Sequence, residues 1–121
     1  MVVIALRRLR EFWLAHANAE APLRAWYKIA QSADWSKFAD VQATLGNASS
    51  VGYCVVFNVA GNKYRLAARI HYQVRTVFVL RVMTHGEYDD QNQWQEQWGC
   101  HEPPGPPKKS VPKRLRPKRR T

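Results

Sequence analysis

Apolar residues recur along this chain at two periods, and the change of period divides it. Met1-Val2-Val3-Ile4 is a short apolar run that suits a first strand. From Leu6 the spacing turns helical, with Leu6, Leu9 and Trp13 on one side and Arg7, Arg8, Arg10 and Glu11 between them. The pattern fades near Asn18 and restarts at Pro22, which suits the first turn of a second helix because its missing N–H costs little there. Leu23, Trp26, Tyr27 and Ala30 then form one apolar stripe. Asp34 or Ser36 is placed to cap a short third helix carrying Phe38, Val41 and Leu45, which Gly46-Asn47 ends.

The second half reads as strands. Residues 51–59 are rich in Val, Tyr and Phe, Gly61-Asn62 signals a turn, residues 64–74 alternate, and residues 77–83 are nearly all apolar. Three strands in succession predict an antiparallel meander. Thr84 and Glu87 have capping-box spacing and predict a final helix, of which Trp94 and Trp98 could form one face. Helices followed by strands predict an α+β fold, with N-terminal helices on one face of a small antiparallel sheet and a short C-terminal helix.

Alternation assigns the faces. Tyr64, Leu66, Ala68, Ile70 and Tyr72 fall on one side and predict core; Lys63, Arg65, Ala67, Arg69 and His71 fall on the other. A turn at Gly61-Asn62 pairs Phe57 with Leu66 and Asn58 with Arg65. A next turn centred on Arg75 would set Arg65 opposite His85 and Arg69 opposite Arg81. The resulting concave or open face carries Asn58, Lys63, Arg65, Arg69, His71, Arg81 and His85, with Tyr88 one turn into the next helix.

Charge changes the picture at the C-terminus. The chain of 121 residues carries 19 Lys and Arg against 9 Asp and Glu, a net charge of +10. Residues 1–100 hold 11 basic and 8 acidic side chains, whereas residues 101–121 hold 8 basic and 1 acidic, together with six of the seven prolines. This predicts a domain over 1–100 and an extended, disordered basic arm over 101–121, either a polyanion anchor or a solvated tail. Five Trp, five Tyr and four Phe argue against wholesale disorder. No apolar run is long enough to cross a bilayer, and Arg7, Arg8, Arg10 and Glu11 interrupt the N-terminal apolar stretch before it makes a secretory signal. Two cysteines in dissimilar contexts, Cys54 and Cys100, predict no disulfide scaffold and a reduced, cytoplasmic protein, with Cys54 a small strand hydrophobe. Cys100-His101 is too small a set for a metal site, and no nucleophile elbow, Walker-type loop or zinc spacing is present.

The basic face has a chemistry to match. Guanidinium groups bind phosphate through paired hydrogen bonds, histidine moves protons near neutrality, and tyrosine stacks on bases. RNA is cut without a metal when its 2′-OH attacks the adjacent phosphate, which calls for a base, an acid and fixed cations. Plainer roles stand beside these. Arg69 and Arg81 suit structural ion pairs, His71 an ordinary surface position, and Tyr64, Tyr72, Trp26 and Trp35 the core.

Ordered motifs narrow the choice. Val56-Phe57-Asn58-Val59-Ala60-Gly61-Asn62-Lys63-Tyr64-Arg65-Leu66 resembles the hairpin signature of HigB-type toxins, members of the RelE-like mRNA interferases of type II toxin–antitoxin systems. Thr84-His85-Gly86-Glu87-Tyr88-Asp89 resembles that family's Thr-His-x-Glu-Tyr-Asp signature. Leu9-Arg10-Glu11-Phe12-Trp13 and Pro22-Leu23-Arg24-Ala25-Trp26-Tyr27 also look like family segments, so the resemblance runs over about residues 1–90. It implies a RelE-like fold and a ribosome-dependent endoribonuclease that cuts mRNA in the A site through the 2′-OH, with no metal or other cofactor. It also implies a HigA-type helix-turn-helix antitoxin, with operator DNA bound only through the complex. Arg65 would hold the scissile phosphate, His85 would act as general acid or base, and Tyr88 would position the mRNA. Asn58, Asn62 and Lys63 belong to the hairpin signature, and Arg69 and Arg81 extend the phosphate-binding face. Ala60 replaces a frequent family glycine, a change a turn tolerates where φ is negative; the extension beyond about residue 91 has no counterpart. A non-catalytic RNA-binding module and a degenerate toxin that keeps only antitoxin binding remain the alternatives.

Overall fold

The structure is a computed structural model that describes residues 1–61, 63–89, 95 and 99–101. The expectations for Asn62, Trp94, Trp98 and the basic arm lie outside the described residues. The chain runs β1 (Val2–Ile4), α1 (Leu6–Ala15), a 3-10 turn (Ala17–Ala19), α2 (Glu20–Ser32), α3 (Phe38–Thr44), β2 (Ser49–Val51), β3 (Cys54–Val59), β4 (Tyr64–His71), β5 (Thr76–Thr84) and α4 (His85–Asp89). The strands form one sheet in the order β1-β5-β4-β3-β2.

The predicted meander is present as β3, β4 and β5, but the sheet has five strands and is mixed. β1 runs parallel to β5, Val2 beside Thr76, because α1 carries the chain away before the strands begin. The expected strand over 51–59 is a hairpin of two strands. Gly52 turns with φ +57, and Val51 pairs with Cys54. The cap of α3 also differs. Its N-cap is Lys37, without a side-chain cap, while Asp40 Oδ2 accepts a hydrogen bond from Ser36 N at 2.9 Å.

One face of the sheet is packed by the helices. Leu9 and Trp13 from α1, Leu23, Trp26 and Ala30 from α2, and Trp35 and Val41 meet Phe57, Tyr64, Leu66, Ala68, Val77 and Val79 in the main core. Phe57 is its centre, with the Trp26 ring at 5.4 Å and the Trp35 ring at 6.3 Å. Residues of β4 predicted to face the core do so, and Trp26 and Trp35 pack as expected. Tyr72, half-buried against this core, has its phenol pushed above the usual 10.0, first by burial and then by the Asp40 carboxylate.

The opposite face is less open than the row of cations suggested. Cys54, Val56, Ala67, Met83 and Cys100 form a second buried apolar cluster, with Val51, Leu80 and Tyr88 at its margin. Cys54 and Cys100 are joined by a disulfide, which corrects the expectation of two reduced thiols. A sequence separation of 46 gave no sign of it, because the pairing depends on where the chain returns after α4. Among the described residues no helix is long and apolar enough to cross a membrane.

Candidate functional site

The β3–β4 register is the predicted one, with Phe57 opposite Leu66 and Asn58 opposite Arg65. The β4–β5 register is not. Arg65 lies opposite Met83 rather than His85, and Arg69 opposite Phe78 rather than Arg81. Part of the shift is a bulge: Ala67 pairs with Arg81 and Ala68 with Val79, which leaves Leu80 as the extra residue. The Leu80 carbonyl accepts a hydrogen bond from Arg8 Nη1 at 3.2 Å.

The site gathers where β5 ends. Thr84, opposite Tyr64, is the last strand residue, and His85 opens α4. The predicted capping box forms in full. Thr84 N donates to Glu87 Oε1 at 3.0 Å, and Glu87 N donates to Thr84 Oγ1 at 3.3 Å. The other carboxylate oxygen of Glu87 holds Arg81 Nη2 at 3.2 Å. This helix start turns Tyr88 back over the sheet, where its ring lies 5.2 Å from the Arg65 guanidinium carbon. Arg65 Nη1 also donates to the Tyr64 carbonyl at 3.3 Å. His85 Nδ1 is 3.1 Å from Asp89 Oδ2, one helical turn on, and both side chains are more than half exposed.

The structure therefore sets Asn58 opposite Arg65 and the Tyr88 ring against the Arg65 guanidinium, with Lys63 in the adjoining turn and His85, paired with Asp89, at the start of the same short helix as Tyr88. Arg81 sits beside them but is shared with Glu87. Arg69 stands apart, four residues or ~13 Å along β4 from Arg65, and its Nη1 donates to the Gly99 carbonyl at 2.9 Å. His71 turns to Phe78, ring centroids 5.2 Å apart. The sequence reading missed Glu87 as the Arg81 partner and Asp89 as the His85 partner. For Asp89 the i,i+4 spacing was a usable signal. Grooves of about 550 Å³ between α1 and β5 and about 690 Å³ between α2 and α3 lie off this cluster, and only Arg81 and Glu87 belong to both cluster and groove.

The turn before Lys63 has a specific constraint. Ala60 adopts φ +56, so the substitution of the frequent glycine is not the negative-φ case that a turn accepts freely.

A helical layer on a mixed five-stranded sheet, with a short helix after the last strand, matches the RelE-like fold class. The family model of HigB toxins, the RelE-like toxic component of a toxin–antitoxin system, matches residues 19–91, more than half of the chain. The chain belongs to this family, and it is the toxin of a toxin–antitoxin system, whose partner is an antitoxin. No curated protein matches it.

Proposed function

We propose that this toxin is a ribosome-dependent mRNA endoribonuclease of the cytoplasm that acts without a metal and inhibits translation. The observation that carries the reading is the Arg65 guanidinium over the Tyr88 ring beside the His85–Asp89 pair. The 2′-OH of the nucleotide in the A site attacks the adjacent phosphorus. The bond to the 5′-oxygen breaks, leaving a cyclic phosphate and a 5′-hydroxyl. Arg65 holds the phosphate and meets the charge that grows on its oxygens, with Lys63 adding a second cation. Asp89 at Nδ1 orients the His85 ring and leaves Nε2 to move a proton at the reacting oxygen. Tyr88 stacks on or positions the base, and Asn58 and Asn62 contact the strand beside it. Arg81, beside this cluster, extends the phosphate-binding face. The exposed His85–Asp89 pair at the sheet end suits a polymer substrate presented by a large partner. The antitoxin is of the HigA helix-turn-helix type, and operator DNA is met only through the complex.

Expression in a bacterial host tests the reading. Wild type is expected to arrest growth, whereas Arg65→Ala and His85→Ala, each soluble and folded, relieve the arrest. Growth arrest unchanged in both variants rejects the site.

A further inference from the structure

Residues 99–101 lie across the β2–β3 turn on the face of the sheet opposite the helices. Cys100 has no exposed surface and is bonded to Cys54, which has none either. The Cys100 carbonyl accepts from Tyr53 N at 2.6 Å, and the Gly99 carbonyl accepts from Arg69 Nη1 at 2.9 Å. The turn is shaped for this contact. A Cβ on Gly52 would stand 2.2 Å from the Cys100 carbonyl oxygen, so only glycine lets the segment lie so close. Val55 pairs with Ala68, which places Cys54 beside Arg69. The segment thus holds the Arg69 end of the face, with Cys100 packed among Val56, Ala67 and Met83 beside it.

We infer that the Cys54–Cys100 disulfide is a redox clasp that sets how many arginines of this face reach RNA phosphates. This rests on the reading of the face as RNA-binding. In the oxidised protein Arg69 is held by the Gly99 carbonyl, and phosphate contact is confined to the end that carries Arg65. A dithiol reductant opens the clasp. Local opening of residues 99–101 exposes the bond, and one of the reductant's thiolates attacks a protein sulfur, breaking the S–S bond and forming a mixed disulfide. The reductant's second thiol then closes on the first, and it leaves as a cyclic disulfide. Cys54 and Cys100 gain two electrons and two protons and become thiols. Without the covalent tie, the hydrogen bonds and apolar contact of residues 99–101 stand alone against the freedom of the chain. These residues come away, and Arg69 joins the phosphate track.

The test uses the full chain, oxidised and dithiol-reduced, with thiol state read by mass after alkylation and fold by circular dichroism. The probe is a short 2′-O-methylated single-stranded RNA, bound over a range of KCl concentrations. A Cys54→Ala/Cys100→Ala double variant and Arg69→Ala are measured beside wild type, and each form is also assayed for mRNA cleavage during translation. One added phosphate contact makes the slope of log K against log salt steeper by about 0.7. That change is expected on reduction, is expected in the double variant under both conditions, and is absent in Arg69→Ala. Equal slopes in oxidised and reduced wild type with mRNA still cut overturn the clasp and leave the nuclease. The expected slopes with uncut mRNA keep the clasp and reject the nuclease. No binding and no cleavage reject both, and loss of fold in both the reduced protein and the double variant overturns the clasp by making the bond a structural staple.

Discussion

Ala60 holds φ +56 in the turn that leads to Lys63 and Arg65. An L-residue there costs about 1–2 kcal/mol against the right-handed region, while glycine gives back part of that through the freedom of the unfolded chain. Ala60→Gly is therefore expected to raise unfolding free energy by about 0.5–1 kcal/mol in urea denaturation. At the other end of the site, Arg65→Lys keeps the charge but loses the planar fork. Cleavage is expected to fall about 10²-fold or more, as it does when one oriented donor to a charged transition state is removed; cleavage at the wild-type rate would show that Arg65 is not the phosphate clamp. Tyr72 adds a pH dependence. Its phenol lies above 10.0 in the folded chain, through burial and then Asp40. The folded state keeps this proton where the unfolded state loses it, so the stabilisation is whole below about pH 10 and is lost as pH rises toward the raised value. Tyr72→Phe should flatten that part of a thermal-melt series. That Asn58 lies opposite Arg65 was legible because Gly61 marks the turn and strand alternation assigns faces. The β4–β5 pairing was not, since a bulge at Leu80 and a turn of unknown length both act on it.

β5 and α4 act together as the element that builds the site. Glu87 uses one oxygen to cap α4 and the other to hold Arg81, so it fixes the start of the helix that carries His85 and Tyr88. Glu87→Ala is expected to cost about 1 kcal/mol as a lost cap and to reduce cleavage by about 10–100-fold through misplacement of the reacting groups. Glu87→Gln, which can still cap, should recover most of the cleavage; failure to do so would place the charge itself in the mechanism. The start of α4 was readable because capping depends on residues three apart in sequence. The start of α3 was not, because Lys37 carries no capping side chain and Asp40 reaches back to Ser36 instead. The split of residues 49–59 into β2 and β3 was hidden for a related reason. Gly52 is a lone signal within an apolar run, and its tight turn serves a segment almost fifty residues away.

The whole molecule is a sheet with two unlike faces. The helical face depends on Phe57, and Phe57→Ala is expected to cost about 3–5 kcal/mol, measured by denaturant unfolding, because the Trp26 and Trp35 rings close only partly on the space. The α+β class and the helical layer followed from the periods of the apolar residues. The parallel β1 and the Cys54–Cys100 bond did not, since each depends on where distant parts of the chain meet. The toxin family fixes the kind of molecule, and the chemistry of the polar face is what remains to be measured. It is tested most directly by cell-free translation with purified protein and primer extension on the mRNA, wild type beside His85→Ala. Discrete cuts in the reading frame with wild type alone are the predicted result. Intact mRNA with both proteins, each soluble and folded, would contradict it.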